Sequence, residues 1–148
     1  MSDSLFGAMS ISGAGMSAQR ARMDIVSENI ANANSTKSPD GGPYRRRQIV
    51  FQAIEPRRAF DDVFRSSFQG HTPNSVKVAG IIPDQRPFRE IFNPSHPDAD
   101  ANGMVKMPNV NTIEEMVDMQ SASRSFEANV TTMEAAKRMF QKSLELLR

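Results

Sequence analysis

Cysteine is absent from the 148 residues, which excludes disulfides, thiolate metal sites and cysteine nucleophiles. That absence does not fix the redox compartment, although it suits a chain that travels unfolded into an oxidising space. Charge of one sign is also lacking. A net charge of +1 gives no bulk attraction to nucleic acid or anionic lipid. No window approaches the roughly 18 to 20 consecutive apolar residues that a membrane helix needs. Residues 1–6 have neither a positive n-region nor an apolar h-region, so no cleaved secretory signal is expected. An apolar fraction of 39% and a mean hydropathy of −0.48 describe a soluble chain with a thin core. The length fits one domain, or two small lobes sharing long helices.

Catalytic groupings are missing as well. No G-x-S-x-G elbow occurs, and His71 and His96 fall in expected loops without the spacing of a zinc site. Gly13-Ala-Gly15-Met-Ser-Ala18 fits the loose pattern G-x-G-x-x-A. It lacks the preceding strand, the βαβ surroundings and the acidic residue about 20 positions on that a dinucleotide site requires. Its glycines read as a loosened helix start. Asp98, Asp100, Asn102 and Gly103 fit the first positions of a calcium loop. However, Asn109 stands where the bidentate Glu belongs, and Pro94, Pro97 and Pro108 exclude the flanking helices. A polar turn without metal is expected there. Arg45, Arg46 and Arg47 lie in a strand pattern, which sends their side chains to two faces and prevents one nucleic-acid patch. Asn34-Ser-Thr36 and Asn129-Val-Thr131 fit the glycosylation sequon by chance in a chain without a signal. No catalytic residue, cofactor or metal is expected.

Three segments divide the chain, at residues 1–36, 37–110 and 111–148. Residues 10–34 predict a helix, stopped by the turn-rich run that includes Pro39, Gly41, Gly42 and Pro43. Ile11, Ala14, Ala18, Ala21 and Ile25 form one apolar stripe. Met9, Met16, Met23 and Ile30 form another, about 200° away at roughly 100° per residue. Two stripes require burial on two sides. A monomer with a single further long helix has too few partners to cover both, which favours assembly over a monomeric bundle.

Residues 112–147 carry the strongest helical pattern. Thr112 is the expected N-cap, Glu114 and Glu115 occupy the first turn, and Arg148 stands at the end, as the helix dipole prefers. Met119, Ala122, Phe126, Asn129, Met133, Ala136, Phe140, Ser143 and Leu147 step by three and four over about four heptads. Polar Asn129 within that seam is of the kind that fixes register. Such a helix is about 54 Å long at roughly 1.5 Å per residue.

The middle is proline-punctuated, with strands expected at residues 44–54, 76–82 and 88–92. Phe60, Phe64 and Phe68 sit four apart in an otherwise polar stretch. The expected fold is α+β, with long N- and C-terminal helices paired as an antiparallel coiled coil around a small β-rich insert.

The pattern S-x-N-x-A-N at Ser27-Glu-Asn29-Ile-Ala31-Asn32, within residues 17–34, resembles the N-terminal signature of flagellar basal-body rod and hook proteins. Glu115-Met116-Val117, followed by A-x-R-x-F-x-A-N from Ala122 to Asn129, resembles their C-terminal signature. Residues 40–45 leading into 50–52, together with residues 93–110, resemble the proximal-rod, FlgC-type branch of that family. Met104 and Phe126 stand where tyrosine is usual, and residues 55–75 are longer than the usual loop.

The resemblance implies a mechanical subunit exported through the flagellar type III apparatus without cleavage. It would stack helically in the periplasm and transmit torque. Implied partners are other copies of itself and other rod proteins, between the membrane-ring and export-gate side and the distal rod. No nucleic acid or small-molecule substrate is implied. The alternative is a cytosolic coiled-coil adaptor. Candidate subunit contacts are Met9, Met16, Met23, Asn29, Ile30, Ala31, Asn32, Met116, Arg124, Phe126, Asn129, Met133, Phe140 and Leu147.

Overall fold

The computed structural model describes residues 2–39, 41–54 and 75–146. Helix α1 spans Ser2–Ala31 and helix α2 spans Thr112–Leu146. Between them lie β1 (Arg47–Ile54), β2 (Ser75–Pro83), β3 (Arg89–Phe92) and β4 (Met104–Met107). The chain is therefore α+β. Strands β1 and β2 form one antiparallel pair, with an irregularity at Val50/Phe51, and β3 and β4 form a second. Phe60, Phe64, Phe68, most of the long 55–75 stretch, Leu147 and Arg148 lie outside the described residues.

α1 starts well before residue 10 and runs straight through Gly7, Gly13 and Gly15. The expected loosening at Gly13 and Gly15 is absent because α2 packs against them. Gly13 faces Met133 Cε, 3.6 Å from where a Cβ would stand. A Cβ on Gly15 would lie 2.9 Å from Asn129 Nδ2 and 3.1 Å from Cγ. The glycines admit the side chains of the other helix, and the G-x-G-x-x-A match lies inside a helix with no strand before it.

This gives a pair of substitutions with opposite signs. Gly15→Ala gains about 1 kcal/mol of helix propensity but must displace the Asn129 amide, an overpacking cost of about 1–3 kcal/mol. A net loss is expected. Gly7→Ala meets nothing within 4 Å, so it should gain up to about 1 kcal/mol. Denaturant midpoints of the assembled chain measure both.

Contacts between the helices step forward along α1 and backward along α2. The Phe6 and Phe140 rings meet edge-on with centroids 5.5 Å apart. Gly15 faces Asn129, Arg22 donates to Asp118 at 3.0 Å, and Asn29 donates to Glu115 at 2.9 Å. Of the α2 seam residues, Ala122 and Ala136 are buried, and Met119, Phe126, Asn129, Met133 and Phe140 are half-buried.

The line of closest approach on α1 is different from either stripe. It follows Ser12, Gly15, Arg22, Val26 and Asn29, of which Ser12, Val26 and Asn29 are fully buried. At roughly 100° per residue this line runs between the two apolar stripes. Both stripes are consequently flanks, half-buried except at Ala18. α1 also contacts β1 and β2.

Smaller differences have local causes. Helix α2 is capped by Asn111, not Thr112: Asn111 Oδ1 accepts the Ile113 N–H at 3.1 Å, the usual reach to the second helical residue. α1 ends at Ala31, and residues 32–34 form a turn. Strand β1 begins at Arg47, because residues 44–46 turn inward to other partners before the ladder starts. Gly41 and Gly42, at φ of 81° and 84°, make the turn after the helix. The 98–103 turn closes on Gly103 at φ 72°, where a Cβ would lie 2.9 Å from the Phe92 ring. Asp98 is used by Thr36 Oγ1 at 2.8 Å and Lys37 Nζ at 2.5 Å, which hold its carboxyl below the ordinary range, Lys37 most of all. Its carboxylate ties the loop to the turn after α1.

Candidate functional site

Where the insert leaves α1 and returns to α2, five segments meet in a buried polar joint. Asn29, on the last turns of α1, is 1% exposed. Its Oδ1 accepts from Tyr44 OH at 3.0 Å and from the Arg47 N–H at 2.9 Å. Its Nδ2 donates to Arg47 O at 2.8 Å and to Glu115 Oε2 at 2.9 Å. One amide side chain thus satisfies the strand lead-in and the start of α2 together. Asn suits the place because it offers two donors and two acceptor lone pairs on a short arm.

Glu115 is fully buried, at 0% exposure. Its Oε1 accepts from Arg46 Nε at 2.6 Å. The Arg46 guanidinium also reaches Asp84 at 3.5 Å and Asp118 at 3.8 Å. The Arg46 backbone closes the same knot: its N–H donates to Asn109 Oδ1 at 2.9 Å, and its carbonyl accepts from the Asp84 N–H at 2.8 Å. Two buried charges repay their desolvation only with good geometry and hydrogen bonding. Glu115 is bonded at both oxygens, whereas Arg46 makes its one short bond through Nε and only long contacts through its terminal nitrogens.

The three arginines go to different partners, although only Arg47 lies in a strand. Arg46 turns inward, Arg45 lies over the Phe88 ring at 4.4 Å, and Arg47 pairs with Glu28 at 2.8 Å. Burial first, then the Glu28 carboxylate, push the Tyr44 phenol up. The Arg86 backbone N–H, then the Arg86 guanidinium, hold the Asp84 carboxyl below the ordinary range, burial opposing them.

A lowered carboxyl stabilises the fold above the ordinary carboxylate pKa of about 3.9 and loses that contribution as pH falls through the folded value. The joint should therefore be insensitive to pH between about 7 and 5 and loosen below about 4. Tyr44 is the single tyrosine, so its near-ultraviolet signal reads the joint directly. Asp84→Asn should flatten that acid limb.

Among the candidate contacts, Asn29 serves the joint. Asn32 closes the helix end, donating to Glu28 O at 3.0 Å and accepting from Ser35 Oγ at 3.1 Å. Phe126, Asn129, Met133 and Phe140 sit on the α2 seam. Met9, Met16, Met23 and Ile30 are half-buried, while Ala31, Met116 and Arg124 are exposed. Arg46, Asp84, Asn109 and the burial of Glu115 were not foreseen. Glu115 had a sufficient alternative reading as a first-turn acid, and nothing in the spacing ties Arg46 to it.

The two ends of the chain match two families. Residues 9–37 match the family described as "Flagella basal body rod protein". Residues 101–146 match "Flagellar basal body rod FlgEFG protein C-terminal". Across nearly its whole length, the chain is 40% identical to a flagellar basal-body rod protein FlgC of Borreliella burgdorferi over 148 residues, covering 97% of each chain. It is 41% identical to that of Salmonella typhimurium over 136 residues, 92% of each. With the FlgC of Bacillus subtilis it shares 40% over 147 residues, 95% of this chain and 97% of that one.

The chain belongs to the FlgC family of flagellar basal-body rod proteins.

It is a structural rod subunit and not an enzyme, and the adaptor alternative finds no support in these likenesses. The joint spans both matched ends of the FlgC chain. Asn29 lies in the first matched segment and Glu115 in the second, with Arg46 between them.

Proposed function

We propose that this chain is an axial subunit of the proximal rod. Residues 1–36 and 111–148 form the axial core as an antiparallel coiled coil, and residues 37–110 form an insert carried on it. The observation that carries this reading is the reversed order of contacts between α1 and α2, from Phe6 with Phe140 to Asn29 with Glu115. Both apolar flanks of α1 stay half-open beside that line. Copies stack helically on one another and on other rod proteins, linking the membrane-ring and export-gate side to the distal rod. The buried joint fixes the insert to the core, as a part that transmits torque requires. Type III export delivers the chain to the periplasm, and neither nucleic acid nor a small-molecule substrate takes part.

The half-buried methionines 9, 16 and 23, with Ile30, Ala31, Met116 and Arg124, are contacts between subunits. Phe126, Asn129, Met133 and Phe140 serve contacts between helices, with Asn29 and Asn32 at the helix end. A strain deleted for the chain should lack flagella while still building the membrane ring, visible by negative staining of isolated basal bodies. Complete rods in that strain would sink the reading.

A further inference from the structure

Two surfaces outside the joint differ from the rest of the exterior. The first is the outer face of α2 in its opening turns. Ile113, Met116 and Val117 are 71%, 60% and 62% exposed. At roughly 100° per residue they gather opposite the seam that meets α1. Glu114 stands beside them with its side chain 54% exposed, accepting from Asn111 Nδ2 at 3.2 Å. It lies 3.8 Å from exposed Arg86, a pair of the exposed kind that contributes little and can be exchanged. Further along, Gln120, Arg124 and Glu127 make the same face polar. The apolar patch is therefore confined to one end of the helix, beside an acid.

The second is an open cleft of about 720 Å³ next to the joint. Ile81, Pro83 and Phe88 give it an apolar wall, and Arg45, Arg47 and Lys106 supply its charge. Among the described residues, no carboxylate lines it. Arg45 is held in place there, over Phe88 and with NH1 donating to Asp84 O at 2.9 Å. Ile81 is 51% exposed.

We propose that the opening turns of α2 in one copy dock in this cleft of the next copy. The apolar patch meets the apolar wall, and Glu114 meets Arg45 and Lys106, since Arg47 is already paired with Glu28. The two surfaces are different patches of the same chain, so the contact is heterologous. Repeated, it generates an open file with one unfilled patch and one unfilled cleft at its ends, or closes into a ring with none, where a self-complementary contact would stop at two copies. This rests on the rod-subunit reading above and names the surfaces through which copies join.

The absence of native cysteine makes the test clean. Met116→Cys is placed in one tagged copy and Ile81→Cys in another, both expressed in cells building basal bodies. Mild oxidation should give a disulfide-linked mixed dimer in isolated basal bodies, and no dimer when either variant is present alone. Glu114→Lys in the first copy should lower the mixed dimer about tenfold by setting like charges together, and Lys106→Glu in the second should restore it. A mixed dimer insensitive to Glu114→Lys, or dimers of Met116→Cys with itself, would overturn the proposal. So would the absence of mixed dimer in cells whose rods are otherwise complete. Those outcomes leave the rod role standing, whereas complete rods in the deletion strain would remove the role itself.

Discussion

Glu115→Ala is expected to cost about 3–5 kcal/mol of folded-state stability, the usual result of removing one partner from a buried ion pair. The substitution leaves Arg46 without its 2.6 Å acceptor. What remains to it are Asp84 at 3.5 Å and Asp118 at 3.8 Å, both too long to replace the lost bond. Asn29 Nδ2 keeps only its bond to Arg47 O. Arg46→Ala should be comparable, since it strands a carboxylate at 0% exposure with Asn29 as its remaining donor. The paired change Glu115→Leu with Arg46→Met removes both charges, and it should recover most of the loss because a well-packed apolar pair often equals a buried ion pair in stability. Urea midpoints of the assembled protein at neutral pH give all three values. A loss for Glu115→Ala below about 1 kcal/mol, typical of exposed pairs, would mean that the joint does not hold core and insert together.

Much of the architecture was legible because helices announce themselves by period and this chain has two long periodic stretches. The α2 residues from Met119 to Phe140 singled out by their spacing are buried or half-buried, and Asn129, Met133 and Phe140 meet α1. The fine pairing was less legible. A stripe of Ile and Met is the loudest signal on a helix, yet the line of closest approach on α1 runs through Ser12, Gly15, Arg22, Val26 and Asn29, only one of them a large apolar residue. Small residues such as Ser12 and Gly15 let the other helix approach, and polar ones such as Arg22 and Asn29 bond across; hydropathy gives neither any weight. Strand β4 went unseen because Met104–Met107 is short and follows a polar turn. The joint was the least legible part. Arg46 and Glu115 are 69 residues apart, and each has an ordinary surface reading alone. Burial of a charge is decided by what the fold closes over it, which neither local pattern contains.

The composition of the helix contact sets the last expectation: the isolated subunit is only partly folded, and α1 and α2 gain their full protection on polymerisation. Among the described residues the buried apolar side chains are mostly alanines and valines. Each alanine brings little apolar area, and area removed from water is what drives folding. Gln19 adds a cost, since its Oε1 is buried without a hydrogen-bond partner among the described residues, a penalty of about 1–3 kcal/mol. Met9, Met16 and Met23 stay half-exposed, forgoing part of the roughly 1.5–3 kcal/mol that full burial of each would contribute. Ordering each helical residue meanwhile costs about 1–2 kcal/mol of backbone entropy. A neighbouring copy that covers the methionine flank shifts this balance, and a chain that folds weakly alone is also one that can be threaded unfolded through a narrow export channel. Amide hydrogen exchange on dilute monomer should show weak protection across residues 10–31 and 119–146 and strong protection of both in the assembled state. Equal, strong protection of both helices in the dilute monomer would refute the idea, and would mean that the contact between α1 and α2 suffices without a neighbour.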